Sequence, residues 1–507
     1  MRAMKRYITI CTAVAAASLL TASCSGFLKE DPKTFEQPSN YYRTEQQVRM
    51  GVNGIYYGLR IPFNTTGIGG CEVLVLSEMF CGYAERTASS FSDLTEILSL
   101  SISAENGICA GFWGTAYANI NRANQMIDIL VNKDDIQISD AMRNQYLGEA
   151  YFLRAWFYSI LVRMYGPVPL LTKPTTGFND AKVSPSPEKE VFDRIIEDLL
   201  TAETLMEDTP WNNAEGRVSK GAVKAHLAKM YLTCAGYPLQ DASAFDKAYE
   251  KALEVVRSGE FDLYPTYDEA RLGYDTNGRE YLFSIQCMRD QYQNPLHMLS
   301  IPRVNGQTLK PYISLYDATR AGGAWAPRPE LLSSYASGDR RTDDHAFYYT
   351  SQTSLDGTVT HTFPASVYKY WDDECAVDGK SGMNFPLIRY ADVLLTLAEA
   401  ACKGASTNDA EAIDAYFKVH SRALPSDSRP TSLTFDQVFK ERIWEQAFDG
   451  ENWFNMIRTR KAFDLTQGTV VDLIGYKAPA MSASFEEEDL LIPYPVEQLR
   501  LNPNLKK

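Results

Sequence analysis

Apolar residues follow a helical period along several stretches of the chain. Residues 144–165, NQYLGEAYFLRAWFYSILVRMY, carry apolar side chains on almost every side and end at Gly166-Pro167. A helix that is apolar all round is a buried one, and glycine followed by proline is typical of a helix end. The pattern therefore predicts a long buried helix that stops at residue 165.

A helical hairpin is predicted further along the chain. Residues 220–235 follow a serine that can cap a helix, and residues 244–258 end before Gly259. In the first helix Leu227, Ala228 and Tyr231 reproduce the packing face of tetratricopeptide helices.

A second stretch carries the same kind of stripe, formed by Leu394, Leu397, Ala398 and Ala401. Ala410 stands where the small residue of its partner helix is expected. The two stretches are either degenerate tetratricopeptide pairs or generic amphipathic hairpins, and periodicity alone leaves both interpretations open.

The chain between these helical blocks has a different character. Residues 277–286, NGREYLFSIQ, predict a turn into a short strand. Residues 287–382 are rich in glycine, proline and aromatic residues, which predicts long loops that are ordered because of their aromatic content. The fold class expected from these patterns is mainly α, with a few short strands and long irregular loops.

The first residues of the chain have the pattern of a secretory signal. A basic start precedes an apolar run over residues 7–22, which is shorter than the about 20 predominantly apolar residues of a membrane span. Cleavage between Ser23 and Cys24 would make residues 1–23 the signal peptide and Cys24 the first residue of the mature chain. That cysteine resembles the lipid-modified residue of bacterial lipoproteins. The alternative is an ordinary secreted protein that is cut nearby.

Composition narrows the class of partner. The 507 residues are 45% hydrophobic and 22% charged, as in a globular protein, and the formal charge is −14. Such a charge argues against nucleic acid, whose binding depends on basic patches. Seven of the nine cysteines remain after Cys11 and Cys24 are set aside, and their wide spacing predicts no disulfide framework. A Cys71–Cys81 bridge is left open.

Known catalytic patterns are missing from the sequence. The five histidines are dispersed, and there is no HExxH, P-loop, GxSxG or Rossmann fingerprint. We therefore expect no enzyme and no cofactor, with hydrolysis by two carboxylates as the alternative. Calcium is a further alternative, since four clustered acidic residues could supply oxygen ligands instead of forming a solvated loop. These residues are Asp372, Asp373, Glu374 and Asp378.

An ordered series of motifs resembles the SusD/RagB family, the surface nutrient-binding lipoproteins of Bacteroidetes. The resemblance covers nearly the whole mature chain, and seven motifs in one order are far more specific than any one of them. The motifs are FWGTAYANINRANQMID, with Trp113, Tyr117, Ile120 and Asn124, then EAYFLRAWFYSILVRMYGPVPLL, GRVSKGAVKAHLAKMYL with REYLFSIQ, AWAPRPELLSSYASGDRR, FPLIRYADVLLTLAEA, KERIWEQAFDGENWFNMIRTRKA and LIPYPVEQLRLNPNLKK.

The resemblance implies a SusD-like fold with a tetratricopeptide-like helical scaffold. Residues 24–275 would form an N-terminal region and residues 276–507 a C-terminal region, within one compact unit over residues 24–507. It also implies a non-catalytic lipoprotein, held at the outer-membrane surface by a lipid on Cys24. Such a protein binds an oligosaccharide or polysaccharide and delivers it to a TonB-dependent, SusC-like transporter, as in polysaccharide utilization. The alternatives are an oligopeptide-binding RagB-like protein and an envelope scaffold.

A sugar site would need aromatic rings for the apolar faces of pyranoses and polar side chains for the hydroxyl groups. Because aromatic residues of helical scaffolds are mostly core, we look to the loops. One loop, residues 77–93, corresponds in order to a ligand-lining loop of the family. A second loop combines residues 289–298 with the glycine-rich residues 320–327. The candidates are Tyr83, Arg86, Phe91 and Asp93 from the first loop and Tyr292, Asn294, Arg320 and Trp325 from the second, with Trp325 first among them because glycine and alanine flank it. The alternative for Trp325 is that its ring packs internally.

Overall fold

Helices make up most of the molecule, which confirms the mainly α prediction. The computed structural model describes residues 41–60, 77–86, 92–177, 180, 182–208, 216–304, 307–308, 325–353, 357–358, 360–378, 380–404 and 409–506. Cys24 and Cys71 therefore lie outside the described residues, and Cys81 is buried. Within the described ranges, no helix has both the length and the apolarity that a membrane span requires.

The helices of the described ranges, in chain order, are α1 (Glu45–Arg60), α2 (Ser92–Leu98), α3 (Gly107–Asn132), α4 (Asp140–Tyr165), α5 (Glu188–Leu205), α6 (Lys220–Ala235), α7 (Ala244–Ser258), α8 (Tyr267–Leu272), α9 (Leu296–Ser300), α10 (Pro329–Ser334), α11 (Asp373–Asp378), α12 (Tyr390–Lys403), α13 (Ala410–Ala423), α14 (Phe435–Glu445), α15 (Asn452–Thr459) and α16 (Val496–Leu501). The strands are β1 (Ala84–Arg86), β2 (Tyr281–Ile285), β3 (Arg303–Val304), β4 (Gln307–Thr308), β5 (Trp325–Pro327), β6 (Tyr348–Thr353), β7 (Thr360–Val367), β8 (Phe385–Arg389), β9 (Lys461–Asp464) and β10 (Thr469–Asp472).

The long buried helix that the sequence predicts is α4. The side chain of Ser139 caps it by accepting a hydrogen bond from the Met142 N–H at 3.3 Å, which satisfies one of the donors left free at a helix start. Every residue from 146 to 165 except Tyr151 is buried, because α3 and α5 both pack against α4. The helix ends at Gly166, where φ is +73°. A Cβ there would lie 2.8 Å from Leu491 Cδ1, so the position favours glycine in both conformation and space.

The predicted helix pairs are also present. Helices α6 and α7 form the first pair, with Ser219 as N-cap and Gly259 in the left-handed conformation at the end. Helix α7 packs in turn against α12, which pairs with α13, so the two pairs lie side by side. The predicted stripe on α12 is buried, but Ala410 is exposed at the first turn of α13. The small residues that α13 buries are Ala412, Ala415 and Ala423.

Strands form five antiparallel two-stranded sheets within the described residues. The strand predicted over residues 277–286 is β2, which pairs with β8. Strand β1 pairs with β5, in a register that sets Arg86 opposite Trp325. The stretch from 287 to 382 holds short strands and helices where the sequence predicts irregular loops. The β1–β5 pair joins the two loops from which the sequence predicts ligand contacts.

The described members of the acidic cluster, Asp372, Asp373 and Glu374, do not converge on a common point, and the side chain of Asp378 lies outside the description. Asp372 is buried, and its carboxylate accepts the N–H groups of Glu374 and Cys375 at the start of α11. Asp373 accepts a hydrogen bond from Trp371 Nε1 at 2.7 Å, and Glu374 pairs with Arg289 at 3.2 Å. Within the described part of the chain, no three histidine, cysteine or acidic side chains converge as metal ligands.

Candidate ligand-binding groove

Trp325, the leading sequence candidate, lies in the core. It is 1% exposed, and its ring meets Phe448 edge-on with the ring centres 5.0 Å apart. Its indole Nε1 is buried and has no hydrogen-bond partner among the described residues. A sugar ring cannot stack on a buried face, so the structure corrects the ligand interpretation of Trp325 in favour of the alternative, internal packing.

Two more candidates are buried and bonded to the backbone. The Tyr83 hydroxyl donates to the carbonyl of Phe463 at 3.1 Å and accepts its N–H at 3.0 Å. The Asn294 amide donates to the Met383 carbonyl at 2.9 Å, while its oxygen accepts the Leu296 N–H. Both side chains fasten loops to the core, so neither offers the free polar group that the sequence interpretation requires.

The remaining candidates fall into three groups. Asp93 lies in the first turn of α2, where its carboxylate accepts the Gly107 N–H at 3.1 Å. Arg86 contributes its backbone to β1, and its side chain lies outside the description. Phe91 and Arg320 lie outside the described residues. Ligand roles for these four residues stay predictions.

Tyr292 is the sequence candidate that the structure places at the surface of a groove. It is 40% exposed, and a second tyrosine, Tyr57, is 47% exposed beside it. The two rings meet at an interplanar angle of 68° with their centres 5.7 Å apart. Arg60 completes the group, with its guanidinium carbon 4.5 Å from the centre of the Tyr292 ring. Two adjacent exposed rings with a cation between them are the kind of surface that binds ligands.

We call this depression the α1 groove. It has a volume of about 480 Å³ and is lined by Arg49, Asn53, Tyr56, Tyr57, Leu59, Arg60, Gly216, Arg217, Ser284, Ile285, Gln286 and Tyr292. Three arginines and no acidic residue are in that lining. The groove is thus locally basic on a chain whose formal charge is −14.

One face of α1 supplies the first wall. Val48, Val52 and Ile55 are fully buried and hold the helix against α3 and α4. Arg49, Asn53, Tyr56 and Tyr57 follow at the helical spacing of the adjacent face, so their side chains line the groove one above another. The buried apolar stripe fixes the orientation of α1. The adjacent polar stripe therefore faces the groove.

Arg217 forms the polar floor, and Glu149 lies buried behind it. Arg217 makes an ion pair with Glu149, a fully buried carboxylate of α4, and donates to Asn53 Oδ1 at 2.6 Å. The Tyr56 hydroxyl donates to the same carboxylate at 3.0 Å. Burial opposes the charge of Arg217, but Glu149 together with Tyr56 and Tyr146 outweighs burial, so the pKa of the guanidinium is raised. Arg217 therefore stays a cation while its charge is largely neutralised by its partner.

The opposite wall is built around a glycine. Gly216 has φ of +68°, and a Cβ there would lie 2.1 Å from the side chain of Gln286. Any other residue would force Gln286 out of place. The Gln286 amide is itself held by Asn277, to which it donates at 2.9 Å. Gly216 therefore lets the wall approach Gln286 closely and keeps the groove narrow.

Sequence reasoning missed Tyr57, Arg60 and Arg217. One local signal was available, in the sequence IYYGLR of α1. Residues two apart in a helix point about 200° apart, so Tyr57 points away from the face on which Ile55 is buried. The place of Arg217 depends on its contact with Glu149, which no local pattern shows.

The comparisons with known proteins give one consistent result. A family model described as "Starch-binding associating with outer membrane" matches residues 77–232, and the model of the SusD family matches residues 306–507. SusD-like protein P2 of Formosa agariphila is 25% identical over 96% of each chain. A crystal structure of a SusD superfamily protein from Parabacteroides distasonis is 29% identical, has a TM-score of 0.81, and covers 91% of this chain and 98% of its own.

A more distant solved structure shares the fold. It is described as a crystal structure with xylogluco-oligosaccharide, is 20% identical, has a TM-score of 0.71, and the match covers 91% of this chain and 98% of the other.

Proposed function

Because the chain belongs to the SusD family, we propose that it binds an oligosaccharide or polysaccharide at the outer surface of the outer membrane and delivers it to a TonB-dependent, SusC-like transporter. The family description and the relative solved with a xylogluco-oligosaccharide support the choice of a glycan. Cys24 would carry the lipid anchor, because it follows the apolar run at the place where a signal peptidase would cut.

The pairing of Tyr57 and Tyr292 is the observation that carries this proposal. Both rings are partly exposed within one groove, and pyranose rings present apolar faces that stack on aromatic rings. Donors stand around them, since Arg217, Asn53 and Gln286 line the same space. Hydroxyl groups of a sugar need such partners when they leave water. The groove thus combines the two kinds of contact that a saccharide requires.

Calorimetric titration of the detergent-solubilised full-length protein tests the proposal. Plant, host and microbial oligosaccharides form one panel, and a library of oligopeptides forms a second. We expect saturable heat from a member of the saccharide panel. Binding of peptides with no response from any saccharide would contradict the glycan assignment and favour oligopeptide uptake. No response from either panel would favour the envelope scaffold.

A further inference from the structure

We infer that the glycan bound in the α1 groove carries an anionic group, a carboxylate or sulfate on a sugar ring, and that Arg60 pairs with it. The inference rests on the proposed function of the groove. It adds the substrate class, acidic instead of neutral saccharides.

The environment of Arg60 sets it apart from the other buried arginines. The residue is 8% exposed, and its Nε is buried without a hydrogen-bond partner among the described residues. Its Nη2 donates to the Gln293 carbonyl at 3.4 Å, a long contact. The guanidinium otherwise faces the rings of Tyr57 and Tyr292, at 5.9 and 4.5 Å from their centres.

Eight further arginines are buried in the described part of the chain, and each one contacts a carboxylate within ion-pair distance. They are Arg154, Arg163, Arg271, Arg341, Arg389, Arg422, Arg442 and Arg458. Arg60 alone in this set has no carboxylate partner within the described residues. Because an unpaired buried charge is costly, proteins pair such groups or use them to bind a charged ligand. The exception lies in a groove that opens to solvent, so a ligand can supply the missing partner.

A purely structural role does not account for this arrangement. A basic residue in the last turn of a helix interacts favourably with the free carbonyl groups there, and Arg60 ends α1. That interaction does not require burial between two exposed tyrosines. No acidic side chain lines the space, so none there can pair with Arg60 or repel an anion, and Arg217 is already paired with Glu149.

The chemistry of the guanidinium selects the partner. Its planar fork of donors matches carboxylate and sulfate, which accept two parallel hydrogen bonds. The adjacent rings would contact the sugar that carries the anion. A uronic acid and a sulfated sugar satisfy the same geometry, so the experiment has to separate them.

Titration with matched saccharide pairs tests the inference on the full-length protein. The probes are oligogalacturonate and oligoglucuronate, each beside its carboxyl-reduced counterpart, and a κ-carrageenan tetrasaccharide, a sulfated galactan without uronic acid, beside its desulfated counterpart. We expect an acidic member to bind at least about tenfold more tightly than its neutral counterpart, the effect of one charge-assisted contact. The pair that responds distinguishes carboxylate from sulfate.

Variants assign the preference to Arg60. Arg60→Gln should remove the difference between the acidic and neutral members, and Arg60→Lys should retain part of it because the charge remains without the fork. Arg257→Gln, which removes an exposed arginine outside the groove, should leave the difference unchanged. Circular dichroism and thermal unfolding confirm that each variant is folded, and the salt dependence of wild-type binding gives a readout that needs no variant.

Three outcomes would overturn the inference. Neutral members that bind as tightly as acidic ones would contradict it while leaving glycan binding intact. An acidic preference that survives Arg60→Gln would place the anion elsewhere. Binding of peptides that depends on a free C-terminal carboxylate, with no saccharide bound, would overturn the inference together with the proposed function.

Discussion

Arg60 lies against the ring of Tyr292, with the guanidinium carbon 4.5 Å from the ring centre. The arginine ends helix α1, and the tyrosine lies in the turn after β2, so the contact joins two elements that are far apart in the chain. The turn is held by paired backbone hydrogen bonds between Met288 and Tyr292, each 2.7 Å long. A buried cation and an exposed ring are thereby fixed at one edge of the groove, where a ligand can contact both.

Removal of either exposed ring should weaken saccharide binding. Tyr57→Ala and Tyr292→Ala should each lower affinity about two- to tenfold, since an aromatic contact contributes ~0.5–1.5 kcal/mol. Tyr237→Ala is the matched control, because Tyr237 is also partly exposed and has Arg460 4.5 Å from its ring centre, outside the groove. Calorimetry measures the three variants side by side. Equal losses in all three would show that the groove is not the site.

Replacement of Trp325 should affect stability instead of binding. Trp325→Ala removes a fully buried indole and should lower the free energy of unfolding by about 3–5 kcal/mol. Trp325→Phe should cost less because it keeps a ring against Phe448. Urea unfolding measures the loss, and titration of the folded protein should give unchanged affinity. A variant that unfolds like the wild type but no longer binds would restore Trp325 as a ligand contact.

Removal of one partner of the Arg217–Glu149 ion pair should destabilise the folded protein, because the other charged group is left unpaired. Arg217→Gln leaves Glu149 buried without its cation and should cost about 2–3 kcal/mol, less than for a fully buried pair because the Arg217 side chain is 17% exposed. The double variant Glu149→Gln, Arg217→Gln should regain part of the loss. Urea unfolding of the four proteins gives the coupling energy. A double variant as unstable as the sum of the single variants would contradict a direct interaction.

The free energy of unfolding should depend on pH through the carboxyl group of Glu78. Burial raises the pKa of this fully buried carboxyl to about 8, and the nearby Asp449 carboxylate adds to the effect. Glu78 therefore keeps its proton up to about pH 8 in the folded protein and releases it near pH 4.5 in the unfolded chain. Its contribution to the free energy of unfolding is complete below pH 4.5 and is lost as the pH rises toward 8. Glu78→Gln should remove this decline and be more stable than the wild type at pH 8.

Chemical unfolding between pH 4 and 9 measures both profiles. Glu488→Gln serves as the control because Glu488 is exposed, and it should follow the wild type. A Glu78→Gln variant that declines as steeply as the wild type would exclude Glu78 as the source.

The sequence predicted those features that local patterns determine. Ser219 and Gly259 mark helix ends through capping chemistry, and residues 144–165 form one buried helix because they are apolar all round. The sequence wrongly placed Ala410 in the contact between the two helices, because several small residues recur nearby in α13. Only the packing of α13 against α12 shows that Ala412 and Ala415 are buried instead.

The site was less accessible to prediction than the fold. Tyr292 was found because a loop aromatic among polar residues is often exposed. The sequence could not decide between a ligand role and internal packing for Trp325, because its glycine and alanine neighbours give no sign of β1–β5 pairing or of Phe448, which lies more than a hundred residues later. Arg60 was missed because its burial depends on the turn around Tyr292. Contacts between distant segments decide which candidate side chains reach solvent.

The crystal structure of the protein with the oligosaccharide that binds most tightly would test the central claim most directly. The account predicts a sugar ring in the α1 groove in contact with Tyr57 and Tyr292, and an anionic substituent within hydrogen-bond distance of Arg60. A saccharide bound elsewhere, with the α1 groove empty, would contradict it.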